Sequence, residues 1–389
     1  MYRRRSGPNL WLIGILLAVG GVGLVVLSES SQGMVRLPLS SAVPFRAAPP
    51  PPPTTALAVP TPTAAETADV HLQRAYSAYS QGRWALAIAA YQEALRINPQ
   101  LPLALARQAR SLVYLNRSAE AVERAQKAVE IEPRSAEAQI ALSVALDFSG
   151  QAERAITAAR RAIELEPRSA EAYAVLAEGL VDKYRLREAE EALDRADSIE
   201  RDHPEALRVR AYYLETKADY NGAAGLYRKA IDLAPNRSYL YLSLGHAFRA
   251  LKRYDEATGA YTTASELAPT DPRPQGGLGM VYYAREEYDA ATAHLQRAVQ
   301  IDPRYANGYA QLGWVNYVQR DYEQALPMFL KAIELEADKG RLAQYRHAVG
   351  WIYLNTGLKD RAREQFTLAL QLNPDLQGAK DGLELANRR

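Results

Sequence analysis

Apolar residues recur along this chain at helical spacing, and the pattern itself returns every 34 residues. Around Gly245, the large side chains Tyr241, Leu244 and Phe248 mark one apolar stripe, and after a short polar break Ala257, Tyr261 and Ala264 mark a second. Alanine then keeps strict register at Ala94, Ala128, Ala162, Ala196, Ala230, Ala264, Ala298 and Ala332, and after a three-residue slip at Ala369. A second ladder runs Ala87, Ala121, Ala155, Ala189, Ala223, Ala257, Ala291, Ala325 and Ala362. A third holds only small residues, from Ala75 through Ser143 and Gly245 to Gly350. The stretches KAVEIEPRSAEAQIAL (127–142) and RAIELEPRSAEAYAVL (161–176) show one period almost letter for letter.

Each frame therefore predicts two helices whose small residues face each other, so that the axes approach closely while larger side chains fill the space above and below. Proline follows the second stripe at Pro99, Pro133, Pro167, Pro235, Pro269, Pro303 and Pro374. It lacks the N–H that would continue a helix and biases its predecessor away from helical backbone. Arg201 and Ala337 replace it in two frames, and EADKGRLAQ (336–344) carries the three-residue slip, so these two joints are expected to differ from the rest.

The four ladders, with the aromatic series Tyr91, Tyr227, Tyr261, Phe329 and Phe366, closely resemble the tetratricopeptide repeat, a 34-residue helix-turn-helix unit. The resemblance covers residues 68–376 as nine repeats. It implies an all-α, right-handed superhelical solenoid of about nine hairpins with a C-terminal capping helix at 377–389. Lys380, Asp381, Glu384 and Arg388 would give that last helix the polar outer face that an exposed solenoid end requires.

The N-terminal residues have a different pattern. Arg3, Arg4 and Arg5 sit in a short basic segment (1–9), and LWLIGILLAVGGVGLVVL (10–27) is an uninterrupted apolar run. Such a run is about long enough to cross a hydrocarbon core of about 30 Å as a helix. The arginines before it predict a cytoplasmic N-terminus, a single-pass signal anchor in the cytoplasmic membrane and repeats on the far side. The alternative is a cleaved signal peptide, for which Ser28-Glu29-Ser30 offers a small-x-small site. Residues 28–67, rich in proline and threonine, read as a disordered, extended spacer.

A net charge of +2 gives no electrostatic bias toward nucleic acid, and the absence of cysteine removes disulfides, thiolate metal sites and a cysteine nucleophile. His71, His203, His246, His294 and His347 fall at different repeat positions, which argues against a metal centre. Anchor, spacer, repeats and cap account for the whole sequence given, so no enzyme activity and no cofactor are expected. The resemblance implies instead that the first helices line a concave groove, exposing the second, fifth, ninth and twelfth positions of each unit. Repeats three to five place Glu137, Asp147, Glu171, Glu178, Glu205 and Glu215 there, with Arg208 the basic exception. Repeats six to nine place Tyr239, His246, Arg249, Arg273, Met280, Tyr283, Asn307, Trp314, Tyr317, Gln344, His347 and Trp351. Tryptophan, tyrosine and arginine dominate binding energy at interfaces.

These twelve residues are the expected partner-binding surface of a membrane-anchored scaffold that holds an extended protein or peptide segment. An envelope glycan stacking on the tryptophans, or a regulatory subunit of an envelope enzyme, are the alternatives, and self-association is left open. The topology is testable by fusing a reporter that is active only outside the cytoplasm after Arg389. Export predicts activity there, and a signal confined to the cytoplasm rejects it; the N-terminal sequence of the mature protein separates anchor from cleaved leader.

Overall fold

The computed structural model describes residues 67–388. The apolar run at 10–27 and most of the spacer lie outside them. The chain divides into two units, Met1–Ala65 and Glu66–Arg389, and the repeats make up the second. Among the described residues there are nineteen helices and no strand. Eighteen of them pair into nine hairpins, beginning with α1 (Ala68–Ser80) and α2 (Trp84–Ile97), α3 (Pro102–Tyr114) and α4 (Ser118–Ile131), then α5 (Ala136–Phe148) and α6 (Ala152–Leu165). The series continues with α7 (Ala170–Asp182) and α8 (Leu186–Ile199), α9 (Pro204–Thr216) and α10 (Tyr220–Leu233), α11 (Ser238–Ala250) and α12 (Tyr254–Leu267). It ends with α13 (Pro272–Ala284) and α14 (Tyr288–Ile301), α15 (Ala306–Val318) and α16 (Tyr322–Leu335), and α17 (Lys339–Asn355) and α18 (Lys359–Leu372). A last helix, α19 (Gln377–Asn387), packs on α18 and α17.

The small-residue ladders are the contact lines of this stack. Every alanine of the first two ladders is at 0% exposure. Three of the aromatic series, Tyr261, Phe329 and Phe366, fill hollows made by glycines of the facing first helices. A Cβ on Gly245 would lie 2.6 Å from Tyr261, and one on Gly277 of the next hairpin would lie 2.5 Å from the same ring. Phe366 is enclosed in the same way by Gly350 and Gly382, and Phe329 rests on Gly313. In the second and third hairpins Ala125 and Ala159 stand at the aromatic position, both fully buried.

Each hairpin turn reverses the chain through one left-handed residue. The series is Gly82, Asn116, Gly150, Tyr184, Ala218, Lys252, Glu286, Arg320 and Gly357, with φ between 55° and 80°. In each turn the following N–H reaches back to a carbonyl five residues earlier, as in Arg117 N to Leu112 O at 2.9 Å, the 6→1 bond of a helix-ending Schellman motif. The duplicated PRSAE stretch is a helix start, since Ser135 and Ser169 accept from Ala138 N and Ala172 N at 3.3 and 3.2 Å. The two irregular joints do differ. After α8, where Arg201 replaces proline, Asp202 takes a left-handed φ of 65°. The slip after α16 is absorbed as an extra turn at the start of α17, capped by Asp338 and pinned by the Glu336–Arg341 ion pair at 2.7 Å.

Among the described residues no helix is long and apolar enough to cross a membrane. The glycine hollows generate a stability prediction. Gly313→Ala places a methyl 2.8 Å from the Phe329 ring and should cost about 1 to 3 kcal/mol by overpacking, measured by denaturant unfolding. Gly259→Ala, where nothing lies within 4 Å, should be neutral or slightly stabilising.

Candidate interaction groove

The first helices carry the twelve residues expected at the groove, and their surroundings divide them into three groups. Trp314, Tyr317 and Trp351 are half-buried. Trp314 meets Phe329 edge-on at 5.1 Å and Tyr317 at 5.7 Å, while the Tyr317 hydroxyl accepts from Asn355 Nδ2 at 3.3 Å across to the next repeat. Trp351 meets Phe366 edge-on at 5.7 Å, and its Nε1 donates to His347 Nε2 at 2.8 Å. Because an indole nitrogen can only donate, this bond requires an unprotonated Nε2; burial, which lowers the His347 pKa, favours the same neutral ring. Tyr283 and Gln344 are also half-buried, and Asn307 is exposed, donating to the Tyr305 hydroxyl at 3.3 Å.

A second group stands near the α11–α13 junction. His246 leaves much of its surface in solvent and turns its ring edge-on to Tyr261 at 5.6 Å. Enclosure by the groove wall, then the cations Arg249 and Arg273, hold its pKa below the ordinary imidazole range. Arg249 is half-buried between Tyr261 and Glu215. Met280 is 6% exposed and belongs to the wall rather than the open surface.

The third group, Tyr239 and Arg273, is engaged inside the molecule, contrary to the sequence expectation. The repeats curve until the turns of the first two hairpins meet the joints that follow the fifth and sixth hairpins. Tyr239 stacks on Tyr114 with ring centroids 4.4 Å apart, and Arg273 Nη2 donates to the Tyr114 carbonyl at 2.6 Å while its guanidinium is held by Asp271. Trp84, 1% exposed, packs on Tyr114 at 4.6 Å and donates to Ser238 Oγ at 3.2 Å across 154 residues. Arg237 lies over the Trp84 ring at 4.9 Å and donates to the Tyr79 carbonyl at 3.3 Å. A cavity of about 710 Å3 remains along this seam, bordered by Ile88, Leu115, Arg117, Pro272, Asp302 and Arg304. The period could not have flagged Trp84, since Tyr220, Tyr254, Tyr288 and Tyr322 occupy the same position in other frames without being fully buried.

Repeats three to five also depart from an open acidic surface. Arg208, a lone exception in the sequence, is 8% exposed and bridges Glu178 at 2.6 Å and Glu205 at 2.7 Å. Arg110, from the second repeat and absent from the sequence-based set, pairs with Glu171 and approaches Glu137 at 3.6 Å. Burial opposes ionisation of Glu205, yet Arg208 and Arg110 outweigh it and hold the carboxyl low. Glu178 is pushed up, because burial and the neighbouring carboxylates Glu205 and Asp182 exceed what Arg208 returns. Asp147, buried near Glu178 and Asp182, is raised from 3.8 to about 9.

Comparisons with known proteins agree with this architecture. Models described as tetratricopeptide or TPR repeats match residues 68–101, 106–147, 136–169, 240–275, 279–320 and 343–376. The chain is thus a tetratricopeptide-repeat protein, a helical solenoid of the kind that serves as an interaction scaffold. The crystal structure of the APC/C hetero-tetramer Cut9-Hcn1 superposes with a TM-score of 0.62 at 18% identity, over 83% of this chain and 67% of that one. The human IFIT1 dimer with PPP-AAAA gives 0.56 at 17% identity over 81% of each chain. These likenesses establish the fold alone. No curated protein matches the sequence.

The seam and the buried carboxyl each generate a measurable outcome. A Cβ on Gly82 would fall 1.9 Å from the Asn236 carbonyl oxygen, so Gly82→Ala should part the seam, raising the radius of gyration in X-ray scattering while helicity is kept. Gly150→Ala, at the same left-handed turn position with nothing within 4 Å, is the control and should leave the radius unchanged. Asp147 keeps its proton to about pH 9 when folded but releases it near 3.8 when unfolded, so folding takes up a proton between those values. Its contribution to stability therefore falls as pH rises through that window. Asp147→Asn lacks this dependence, and its Tm relative to wild type should climb steadily from about pH 4 to pH 9.

Proposed function

We propose that this protein is a membrane-tethered scaffold that holds an extended partner segment against the first helices of repeats six to nine, outside the cytoplasm. The carrying observation is the contrast within one row of helices. In repeats two to five Arg110, Glu137, Glu171, Glu178, Glu205 and Arg208 are engaged in ion pairs with one another and Asp147 is buried, whereas Trp314, Tyr317, Trp351, Tyr283 and His246 keep exposed surface without being required by the hairpin ladders. Edge contacts with Phe329 and Phe366 brace the two indoles from beneath, so little rotamer freedom remains to be lost on binding. Asn307 and Gln344 add amide groups able to bond a peptide backbone, which favours a peptide over a glycan. Tethering rests on the apolar run at 10–27 and its flanking arginines.

Affinity capture from native membranes, followed by mass spectrometry, identifies the partner. Against it, Trp314→Ala and Trp351→Ala should each weaken binding by about 2 kcal/mol with wild-type helicity and Tm retained. If both variants melt early and bind normally per folded molecule, the rings serve the core and the groove reading fails.

A further inference from the structure

By helical spacing Tyr309, Leu312 and Asn316 share one face of α15, opposite the row that carries Asn307, Trp314 and Tyr317. Against that face, between α14 and α16, lies a hollow of about 360 Å3. Leu312, Val299 and Met328 supply its apolar surface, and Gln296, Asn316 and Gln324 stand around them. None of the residues that line it is charged, and these three amides make no side-chain hydrogen bond among the described residues. The preceding repeat shows what the same space accepts. There Ser265, Gln275, Tyr282 and His294 hold the positions that Val299, Tyr309, Asn316 and Met328 hold 34 residues later. Tyr282 and His294 stack with ring centroids 5.1 Å apart and planes inclined by 4°. Gln275 bonds both His294 Nδ1 at 2.8 Å and Ser265 Oγ at 3.0 Å. Asn316 and Met328 bring neither ring, so the later hollow lacks its flat aromatic filling and keeps amides able to bond the polar edge of one.

An aromatic ring that its own chain does not cover stands elsewhere on the molecule. Tyr184, in the turn between α7 and α8, is 66% exposed, more than any other large apolar side chain among the described residues. Its φ of 55° lies in the left-handed region that bulky residues rarely adopt, and the other hairpin turns place glycine, alanine, asparagine or a charged residue there. We propose that Tyr184 of one copy of this chain enters the α14–α16 hollow of a second copy. Its ring lies on Leu312 and the Met328 thioether, and its hydroxyl meets the surrounding amides. Ring and hollow are both uncharged, so the contact strips no ion of its water. Knob and hollow are different places on the molecule, so the contact is head-to-tail and can recur from copy to copy. One ring covers little area, which makes the association weak, with a Kd on the order of 100 µM. Because the hollow faces away from Trp314 and Tyr317, the contact leaves the groove free and does not depend on the groove reading.

Sedimentation of the full chain in density-matched detergent, combined with NMR of isotope-labelled methionine methyl groups, tests this. The chain has four methionines, so the signals are few. As protein concentration rises, the average mass should rise and the Met328 methyl should move upfield under the ring current of the entering tyrosine, while Met280 on the groove wall stays unchanged. Tyr184→Asn introduces a residue that tolerates the left-handed turn, so Tm should be kept while association weakens about tenfold or more. Asn316→Tyr restores the ring that Tyr282 supplies one repeat earlier and should block association to the same extent. Mixed together, the two variants should form a complex of two copies and nothing larger, because one retains the knob and the other the open hollow. A monomer at every concentration, undiminished association of Tyr184→Asn, or no complex in the mixture overturns the proposal. A Met328 shift on adding N-acetyl-tyrosinamide to a chain that stays monomeric also overturns it, in favour of an aromatic residue from a different protein.

Discussion

Close approach of two helix axes is the constraint on which everything else in this chain depends. It is possible only where both helices present small residues, and the alanine ladders supply these at every hairpin with no exposure at all. Once the axes are close, a large ring settles over the small residues that face it, and Tyr261 and Phe366 are each enclosed by glycines from two successive first helices. One ring therefore joins a hairpin both to itself and to its successor. That double contact makes a row of local units into a continuous core, and it sets the line of first helices from which a groove can be built.

Curvature adds a second layer of interaction that no single repeat contains. The seam brings Trp84, Tyr114 and Tyr239 together with Arg237 and Arg273, and it removes the early part of the concave side from solvent contact. The charged lining behind it is correspondingly buried. Such pairs lose much of their Coulomb energy to desolvation, so Arg110 and Arg208 are better understood as fixing how neighbouring first helices align than as large contributors to stability. The later repeats lack this filling. Their half-exposed indoles and phenols are consequently where a partner can gain most by removing apolar area from water.

Site residues were legible in kind but not in circumstance. Register alone places Tyr239 and Tyr283 in comparable groove rows, yet one is stacked into the seam and the other keeps open surface. Arg208 stands in the sequence as an isolated exception among acids and proves to be the centre around which Glu178 and Glu205 are arranged. Arg110 carries no sequence signal of its role, because its partner Glu171 lies 61 residues away, beyond any helical or single-repeat spacing.

The sequence by itself determined the helical hairpin, its period, the faces that pack and the positions of the turns, because each depends on residue size and backbone preference within about one repeat. Even the two irregular joints were visible as breaks in the proline ladder. What only the tertiary structure decided is the sum of many small rotations between hairpins. That sum brings residues 154 to 159 positions apart into contact, and periodic patterns carry no signal for it. Which groove residues are spent on closure, which are neutralised by buried partners and which remain open to a ligand are all set by that accumulated angle.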